Sequence, residues 1–132
     1  MEITSNFDQV SFHDSTIESV ERATGIIIIH FDFAIIAADH PHSRDGLIKL
    51  SKVLLTLHGV TSERALIWHD DKTPLDHPNP VSPISEVMHG TMKDSVFHFD
   101  GFWKPDDWSE WYISSTRFTL VGVPLSPTDN AF

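Results

Sequence analysis

Residues Ile26–Phe33 alternate in the two-residue period of a β-strand, and this pattern constrains the fold more than any other segment does. One face of the strand carries only apolar side chains, namely Ile27, Ile29, Phe31 and Phe33. The other face begins with Ile26 and Ile28 and ends with His30 and Asp32. We therefore expect its first end to be covered by other residues and its second end to be exposed to solvent. The segment is therefore predicted to be a strand with one buried face.

The composition favours strands along the rest of the chain. It includes 12 Ile, 10 Thr, 9 Val and 9 Phe but only 6 Ala, and β-branched and aromatic residues pack well on a pleated surface. No long stretch shows a helical period with clear caps. Seven further segments are predicted strands: Thr16–Ala23, Leu47–Val60 with a bulge near Ser51 and Lys52, Ala65–His69, Ile84–His89, Ser95–Phe102, Trp108–Ile113 and Thr116–Val121.

Segment Thr16–Ala23 admits two interpretations. Asp14 could cap a short helix there that ends before Gly25. We favour a strand, because a turn through Ala23, Thr24 and Gly25 would then form a hairpin with the strand that follows.

Eight strands separated by turn signals are typical of a mainly β fold with little helix. The prediction is a single antiparallel β-sandwich or partly open barrel. A length of 132 residues suits one domain over residues 1–132, with 124–132 as a loose tail. Turns are expected at Gly90–Asp94 and at Lys104–Asp107.

Charge and cysteine content exclude several classes of function. The chain has no cysteine, which excludes a disulfide framework, a thiol nucleophile and a thiolate zinc site. Its formal charge of -10 opposes the phosphates of nucleic acids. The start of the chain is not that of a signal peptide, and no apolar run approaches the ~20 residues of a membrane span. We expect a cytoplasmic protein that binds neither nucleic acid nor membranes.

Two neighbouring features of the sequence suggest a partner-binding surface. The loop His69–Pro83 has four prolines and three acidic residues, and loops of such length are usually functional or mobile. Three of the four tryptophans lie between residues 102 and 112, and Trp111 among them is predicted to be in the core. The predicted surface comprises Asp70, Asp71, Asp76, Trp103, Asp106, Asp107 and Trp108. Carboxylates around aromatic anchors would suit a basic protein partner.

The alternative hypothesis is a small metal-dependent enzyme that uses histidine and carboxylate ligands. His30 and Asp32, followed downstream by His89 or His98, have the order of a two-histidine, one-carboxylate iron site. His40 and His42, with Asp45 nearby, resemble a paired-histidine metal motif. Pro41 and the turn-rich surroundings argue against a dedicated site there. No nucleophile elbow or phosphate loop occurs, and we expect neither catalytic residues nor a cofactor.

Two short motifs resemble those of a known group of proteins. These are Phe12-His13-Asp14-Ser15 and Leu57-His58-Gly59-Val60. Together with the strand pattern, they resemble small β-rich immunity-type proteins of bacterial toxin systems and related uncharacterised proteins. The resemblance implies a cytoplasmic, non-enzymatic role. Together with the acidic charge and the aromatic cluster, it leads to the hypothesis of a bacterial immunity-type protein that neutralises a basic toxin. The resemblance supplies no catalytic residues. A homo-oligomer formed through exposed strand edges is a further alternative.

The nine histidines make the acidic charge dependent on pH. Protonating all nine would change the formal charge from -10 to -1. Histidine in model peptides titrates near pH ~6.5. Binding to a basic partner is therefore expected to fade between about pH 7.5 and 5.5.

Overall fold

The computed structural model describes residues 1–43, 46–70 and 72–125 as two antiparallel β-sheets around a common core. In chain order the strands are β1 (Glu2–Ile3), β2 (Val10–Ser11), β3 (Ile17–Ala23), β4 (Ile26–Ile36), β5 (Ile48–His58), β6 (Ser62–Trp68), β7 (Leu75–Asp76), β8 (Glu86–Lys93), β9 (Val96–Lys104), β10 (Asp107–Ser114) and β11 (Arg117–Pro124). A one-turn 3-10 helix, Phe7–Gln9, precedes β2. The predicted mainly β fold with little helix is confirmed.

The sheets differ in shape and strand order. In the first sheet the order is β1-β11-β5-β4-β2, with β3 also paired to β4, and this sheet is curled into a half-barrel. In the second sheet the order is β7-β6-β10-β9-β8. Eight of the strands in the described ranges have seven or more residues, which matches the predicted number of about eight.

The core lies between the two sheets and is rich in aromatic rings. Phe12 from the first sheet's side contacts Phe31 with ring centroids 4.5 Å apart, and Phe7 meets Phe97 edge-on at 4.9 Å. Ile27, Ile29 and Phe31, predicted on the apolar face of β4, are buried as expected. The other strands bury alternate side chains in the same way, namely Val53, Leu55, Leu57, Phe97, Phe99, Phe118 and Leu120. Trp111 is also fully buried, as predicted.

The prediction that Phe33 faces inward is wrong, because the alternation of buried and exposed side chains shifts by one position in both β4 and β5. Phe33 is only half-buried, and Ala34 and Ile36 take over the inner face. Asp32 is the cause in β4, since its Oδ1 accepts the backbone N–H groups of Thr16 at 2.8 Å and Phe33 at 2.9 Å. In β5, Lys52 adopts a positive φ of 52°. The predicted irregularity near Lys52 is confirmed, and it bends the sheet.

The β3–β4 turn lies where the sequence predicts it, whereas the β8–β9 turn lies later than predicted. Residues 17–23 form a strand, and Gly25 closes the β3–β4 turn at φ 69°, as expected for this position. In the next hairpin, Gly90 was predicted to begin the turn but instead pairs with Phe99 inside β8. The turn falls later, on Asp94 and Ser95, which both have positive φ.

The Phe12–Ser15 motif joins the two sheets. Phe12 is buried, and the Ser15 hydroxyl donates to the Phe12 carbonyl oxygen at 2.6 Å. Asp14 takes a left-handed conformation at φ 67°, and its N–H donates to the Val87 carbonyl at 2.9 Å. The N–H of Val87 in turn donates to the Ser15 carbonyl at 2.8 Å. The motif therefore has a structural role that holds β8 against the first sheet.

Two buried histidines fasten loops through the same local pattern. The tripeptide Asp-His-Pro occurs at 39–41 and again at 76–78. His40 and His77 each accept, at Nδ1, the backbone N–H two residues later, at 3.0 and 2.9 Å. Each Nε2 then donates to a carbonyl, that of Ser5 at 3.1 Å or Pro83 at 3.0 Å. Burial lowers the pKa of His77, which favours the neutral ring that this pattern needs.

The C-terminal strand continues further than predicted. Pro124, expected to begin a loose tail, still pairs with Leu50, and the N–H of Leu125 donates to the Lys49 carbonyl at 3.0 Å. The rest of the predicted tail, 126–132, lies outside the described residues. Within the ranges that the structure covers, no helix has the length and apolar character needed to cross a membrane.

Candidate functional site

The outer face of the second sheet carries an unusual set of aromatic and ionisable side chains. Phe97, Phe99 and Trp111 point into the core, so their neighbours along β9 and β10 point outward. We call this surface the aromatic face, and it consists of Arg64, Leu66, Trp68, Glu86, His89, Thr91, His98, Asp100, Phe102, Trp108, Glu110 and Tyr112. Strand pairing arranges these side chains in rows, of which one joins Trp68, Trp108 and Phe102.

Glu110 lies at the centre of the aromatic face and accepts three hydrogen bonds. The indole Nε1 of Trp68 donates to Oε2 at 2.7 Å. His98 Nε2 and the Tyr112 hydroxyl lie 3.0 and 3.1 Å from Oε1. The His98 and Tyr112 rings also stack, with centroids 4.4 Å apart. These contacts hold the four side chains in one arrangement.

The environment of Tyr112 keeps its hydroxyl protonated. Burial raises the pKa of Tyr112, and the charge of Glu110 and the hydrogen bond to it raise the pKa further. The phenol is therefore a hydrogen-bond donor at neutral pH and not a base. This arrangement supports binding more than proton abstraction.

The carboxylates of this region are paired with histidines. Three such pairs are present: Glu110 with His98 at 3.0 Å, Asp100 with His89 at 2.7 Å, and Asp107 with His69 at 3.7 Å. Neutral histidine satisfies a carboxylate by a hydrogen bond but does not cancel its charge. The aromatic face therefore keeps a negative potential while its histidines are neutral.

A cleft of about 370 Å³ opens at one end of the aromatic face. Trp68, His69, Asp70, Trp108 and Glu110 line it. Trp108 packs edge-on against Phe102, with the ring centroids 5.2 Å apart. Asp70 accepts the N–H groups of Lys72 and Thr73, and these bonds lower the pKa of Asp70 and keep it ionised. The cleft thus has two indole walls and two carboxylates.

The structure brings together part of the predicted partner-binding surface. Trp108 and Asp70 line the cleft. Asp107 does not line it but lies 3.7 Å from His69, which does. Asp106 is exposed in the β9–β10 turn, and Asp76 lies 3.9 Å from Arg64 at the β7 edge. Asp71 lies outside the described residues.

Trp103 is separated from Trp108 although the two lie only five positions apart in the sequence. Trp103 is the extra residue of a β-bulge, because Lys104 pairs with Asp107 and Phe102 pairs with Trp108. Its ring meets buried His77 at 4.7 Å, and the Lys104 ammonium lies 4.3 Å from its centroid. The indole therefore packs against the proline-rich loop and does not reach the cleft.

Sequence reasoning missed the central residues of the cleft. Trp68 and Glu110 were not predicted, and His98 was considered only as a metal ligand. Alternation along β10 would have placed Glu110 beside Trp108 on one face. Trp68, in contrast, joins them only through the pairing of β6 with β10, which no local pattern shows.

The metal-ligand candidates are dispersed by the fold. His30 lies on the outer face of the first sheet, 2.6 Å from Glu21, whereas His98 belongs to the aromatic face. Asp32 is engaged by backbone N–H groups, and both ring nitrogens of His40 are hydrogen-bonded near exposed His42. Asp45 lies outside the described residues. Over the described part of the chain, no three His, Asp or Glu side chains are grouped as a metal ion would require.

Comparison of the chain with protein families, with curated proteins and with solved structures gave no match. The resemblance of the Phe12–Ser15 and Leu57–Val60 motifs to immunity-type proteins therefore stays a prediction.

Proposed function

We propose that this chain is a non-catalytic protein-binding module and that its aromatic face binds a basic protein. The observation that supports this most directly is the preformed network around Glu110, in which Trp68, His98 and Tyr112 are held by one carboxylate. Large aromatic side chains dominate binding energy at protein interfaces. Side chains that are already ordered lose less entropy on association.

The charge of the protein supports a basic partner. The formal charge is -10, and the cleft at one end of the aromatic face is lined by two carboxylates, Asp70 and Glu110. Such a surface speeds encounter with a basic protein and disfavours acidic ones. A cytoplasmic, bacterial immunity-type protein that neutralises a basic toxin fits this description, and it is the specific form of the function that we propose.

Replacing Trp108 with alanine should weaken binding to the partner about 30-fold, because the loss of an anchoring tryptophan costs about 2 kcal/mol or more. The candidate partner to test is the product of a neighbouring gene, provided that this product is a basic protein. Isothermal titration calorimetry with that purified protein measures the change in Kd, and survival of cells expressing it measures neutralisation.

Trp103→Ala is the matched control, because it removes the same kind of side chain from outside the cleft, where its ring packs on His77. It should change affinity by less than about threefold. Equal losses for the two variants would exclude the aromatic face as the binding surface. Circular dichroism of both variants separates a lost contact from a lost fold.

Binding should also fade as the pH falls from 7.5 to 5.5. Histidine in model peptides titrates near pH ~6.5, so over this range protonation of the chain's nine histidines would reduce its formal charge of -10 toward -1. We expect Kd to rise at least about tenfold at 0.1 M salt. A constant Kd over this range would show that the charge of the face does not contribute.

A further inference from the structure

We infer that the cleft between Trp68 and Trp108 is a recognition site for a guanidinium group, occupied by one arginine side chain of the partner. This inference rests on the proposed function, because the arginine is taken to belong to the basic protein. It identifies the chemistry by which the aromatic face recognises its partner.

The two indole walls are fixed before any ligand arrives. Trp68 and Trp108 are directly paired neighbours on β6 and β10. The Trp68 ring is held by its hydrogen bond to Glu110 at 2.7 Å, and the Trp108 ring by its edge contact with Phe102 at 5.2 Å. Planar indole faces attract cations, and the flat guanidinium of arginine both stacks on and is attracted by such faces.

Glu110 has hydrogen-bonding capacity left for a donor in the cleft. A carboxylate offers about four acceptor positions, two on each oxygen. Oε1 is engaged by His98 and Tyr112. Among the residues that the structure describes, Oε2 accepts a hydrogen bond only from Trp68. One position on Oε2 therefore remains for an N–H of the ligand.

Asp70 supplies the second carboxylate, at the rim of the cleft. Two backbone N–H groups, those of Lys72 and Thr73, donate to its Oδ1 and lower the pKa of Asp70. The five lining residues in the described part of the chain include no Lys or Arg, so no resident cation competes for the site. An arginine fork can bond carboxylates on more than one side, which a point-like ammonium does less well.

The size of the cleft agrees with a single side chain. Its volume of about 370 Å³ lies near the lower end of the roughly 300–1,000 Å³ typical of small-ligand pockets. The cleft opens to solvent. These dimensions suit the long, flat side chain of arginine on a protein surface.

The test uses the intact chain and an acetylated, amidated Gly-Arg-Gly peptide. Nuclear magnetic resonance follows the indole N–H signals of the four tryptophans during titration. We expect the Trp68 and Trp108 signals to shift in a saturable manner while the Trp111 signal stays in place. A matched Gly-citrulline-Gly peptide, which has the same shape but no charge, should shift neither signal at the same concentrations.

Variants assign the effect to the cleft. Trp108→Ala should weaken peptide binding about tenfold, as expected for the loss of one cation–aromatic contact in a partly desolvated site. Asp70→Asn, which keeps the size of the side chain, should weaken it several-fold. Trp103→Ala should leave peptide binding unchanged, because Trp103 does not line the cleft and its ring packs on His77.

Three results would overturn the assignment. Equal binding of the citrulline peptide would exclude recognition of charge, and tighter binding of a Gly-Lys-Gly or trimethyl-lysine peptide would exclude a guanidinium site. An unchanged Kd for the arginine peptide in Trp108→Ala would place the site elsewhere. These outcomes are separate from the proposed function: a partner that depends on Trp108 while no arginine peptide binds would keep the function and remove only the guanidinium site.

Discussion

Replacing Trp111 with alanine should lower the free energy of unfolding by about 3–5 kcal/mol, as is typical for a large aromatic residue deleted from a core. Trp111 is fully buried, and its ring packs near Phe99 with centroids 6.1 Å apart. Its indole N–H also donates to Glu63 Oε1 at 3.1 Å. Domains of this size are stable by about 5–15 kcal/mol, so the variant would lose a large share of the total.

The loss should exceed that of a simple cavity, because Trp111 belongs to a contact between the two sheets. Arg22 of β3 donates twice to Glu63 of β6, at 2.8 and 2.9 Å, and its guanidinium lies 5.8 Å from the Trp111 ring centroid. Removing the indole leaves Glu63 without one donor and Arg22 without one face to lie on. The ion pair is then held less firmly.

Urea denaturation at pH 7 measures the effect, and Trp111→Phe is the companion variant. Phenylalanine keeps most of the apolar volume but lacks the N–H donor, so we expect a smaller loss of about 1–3 kcal/mol. If Trp111→Ala does not fold, the phenylalanine variant still tests the role of the hydrogen bond. A loss below about 1.5 kcal/mol for Trp111→Ala would contradict the burial seen in the structure.

The choice of pH matters because of Glu63. The hydrogen bond from Arg22 lowers the pKa of Glu63 in the folded chain, and burial only partly opposes this. A carboxyl group with a lowered folded pKa stabilises the fold above its ordinary pKa, and this contribution is lost as the pH falls through the folded value. The Trp111 variants are therefore compared at pH 7, where the contribution of Glu63 is fully present.

Gly101→Ala should destabilise the fold by about 3 kcal/mol, at the upper end of the usual cost of overpacking. A Cβ atom at Gly101 would collide with the carbonyl oxygen of Glu86 and would lie 3.0 Å from the Val87 Cα. Both are backbone atoms of β8, so a side-chain rotation cannot relieve the contact. The strands would have to separate where β8 has its bulge.

Ser109→Ala is the matched control, because Ser109 lies on the neighbouring strand β10 and pairs directly with Gly101. Ser109 is fully buried, and its hydroxyl has no hydrogen-bond partner among the described residues. Removing that unsatisfied hydroxyl should be neutral or stabilise the fold by about 1 kcal/mol. Thermal or urea unfolding of the two variants should therefore show shifts of different size and sign. Similar losses in both would show that the close approach of β8 is not what requires glycine.

The Trp111 and Gly101 variants also affect how binding experiments are interpreted. Along β10, Trp111 points into the core while its neighbours Glu110 and Tyr112 belong to the aromatic face. Gly101 likewise precedes Phe102, whose ring supports Trp108. A core change in these strands will disturb the aromatic face without touching a partner. Affinity measurements therefore require variants whose folding has been verified.

Much of the fold could be predicted from the period-two alternation of side chains. Burial of Ile27, Ile29 and Phe31 follows from that pattern because successive residues of a strand point to opposite faces. The choice of a strand for 17–23 followed from the local chemistry of Gly25. The pattern failed at Phe33, because Asp32 takes up backbone N–H groups and resets the alternation in a way that its neighbours in sequence do not show.

The candidate site was predictable only in part. The acidic and aromatic character around Trp108 is visible in the sequence, and so are the histidines, which the acidic composition makes candidates for a titratable surface. The repeated Asp-His-Pro tripeptide was a visible signal of the two buried loop histidines, but its meaning depends on carbonyl groups that are distant in sequence for His40. Proximity along the chain also wrongly grouped Trp103 with Trp108.

The sequence by itself determined the mainly β class, most of the inward-facing residues and the acidic, aromatic character of the surface, because each depends on side-chain type and on a period of two. Only the tertiary structure decided which outward side chains meet. Strand pairing brings Trp68 beside Trp108 from 40 positions away and places Glu110 within reach of Trp68 and His98. The physical reason is that a ladder of backbone hydrogen bonds sets the register between strands. That register depends on the packing of both faces and on the turns, and not on any one segment.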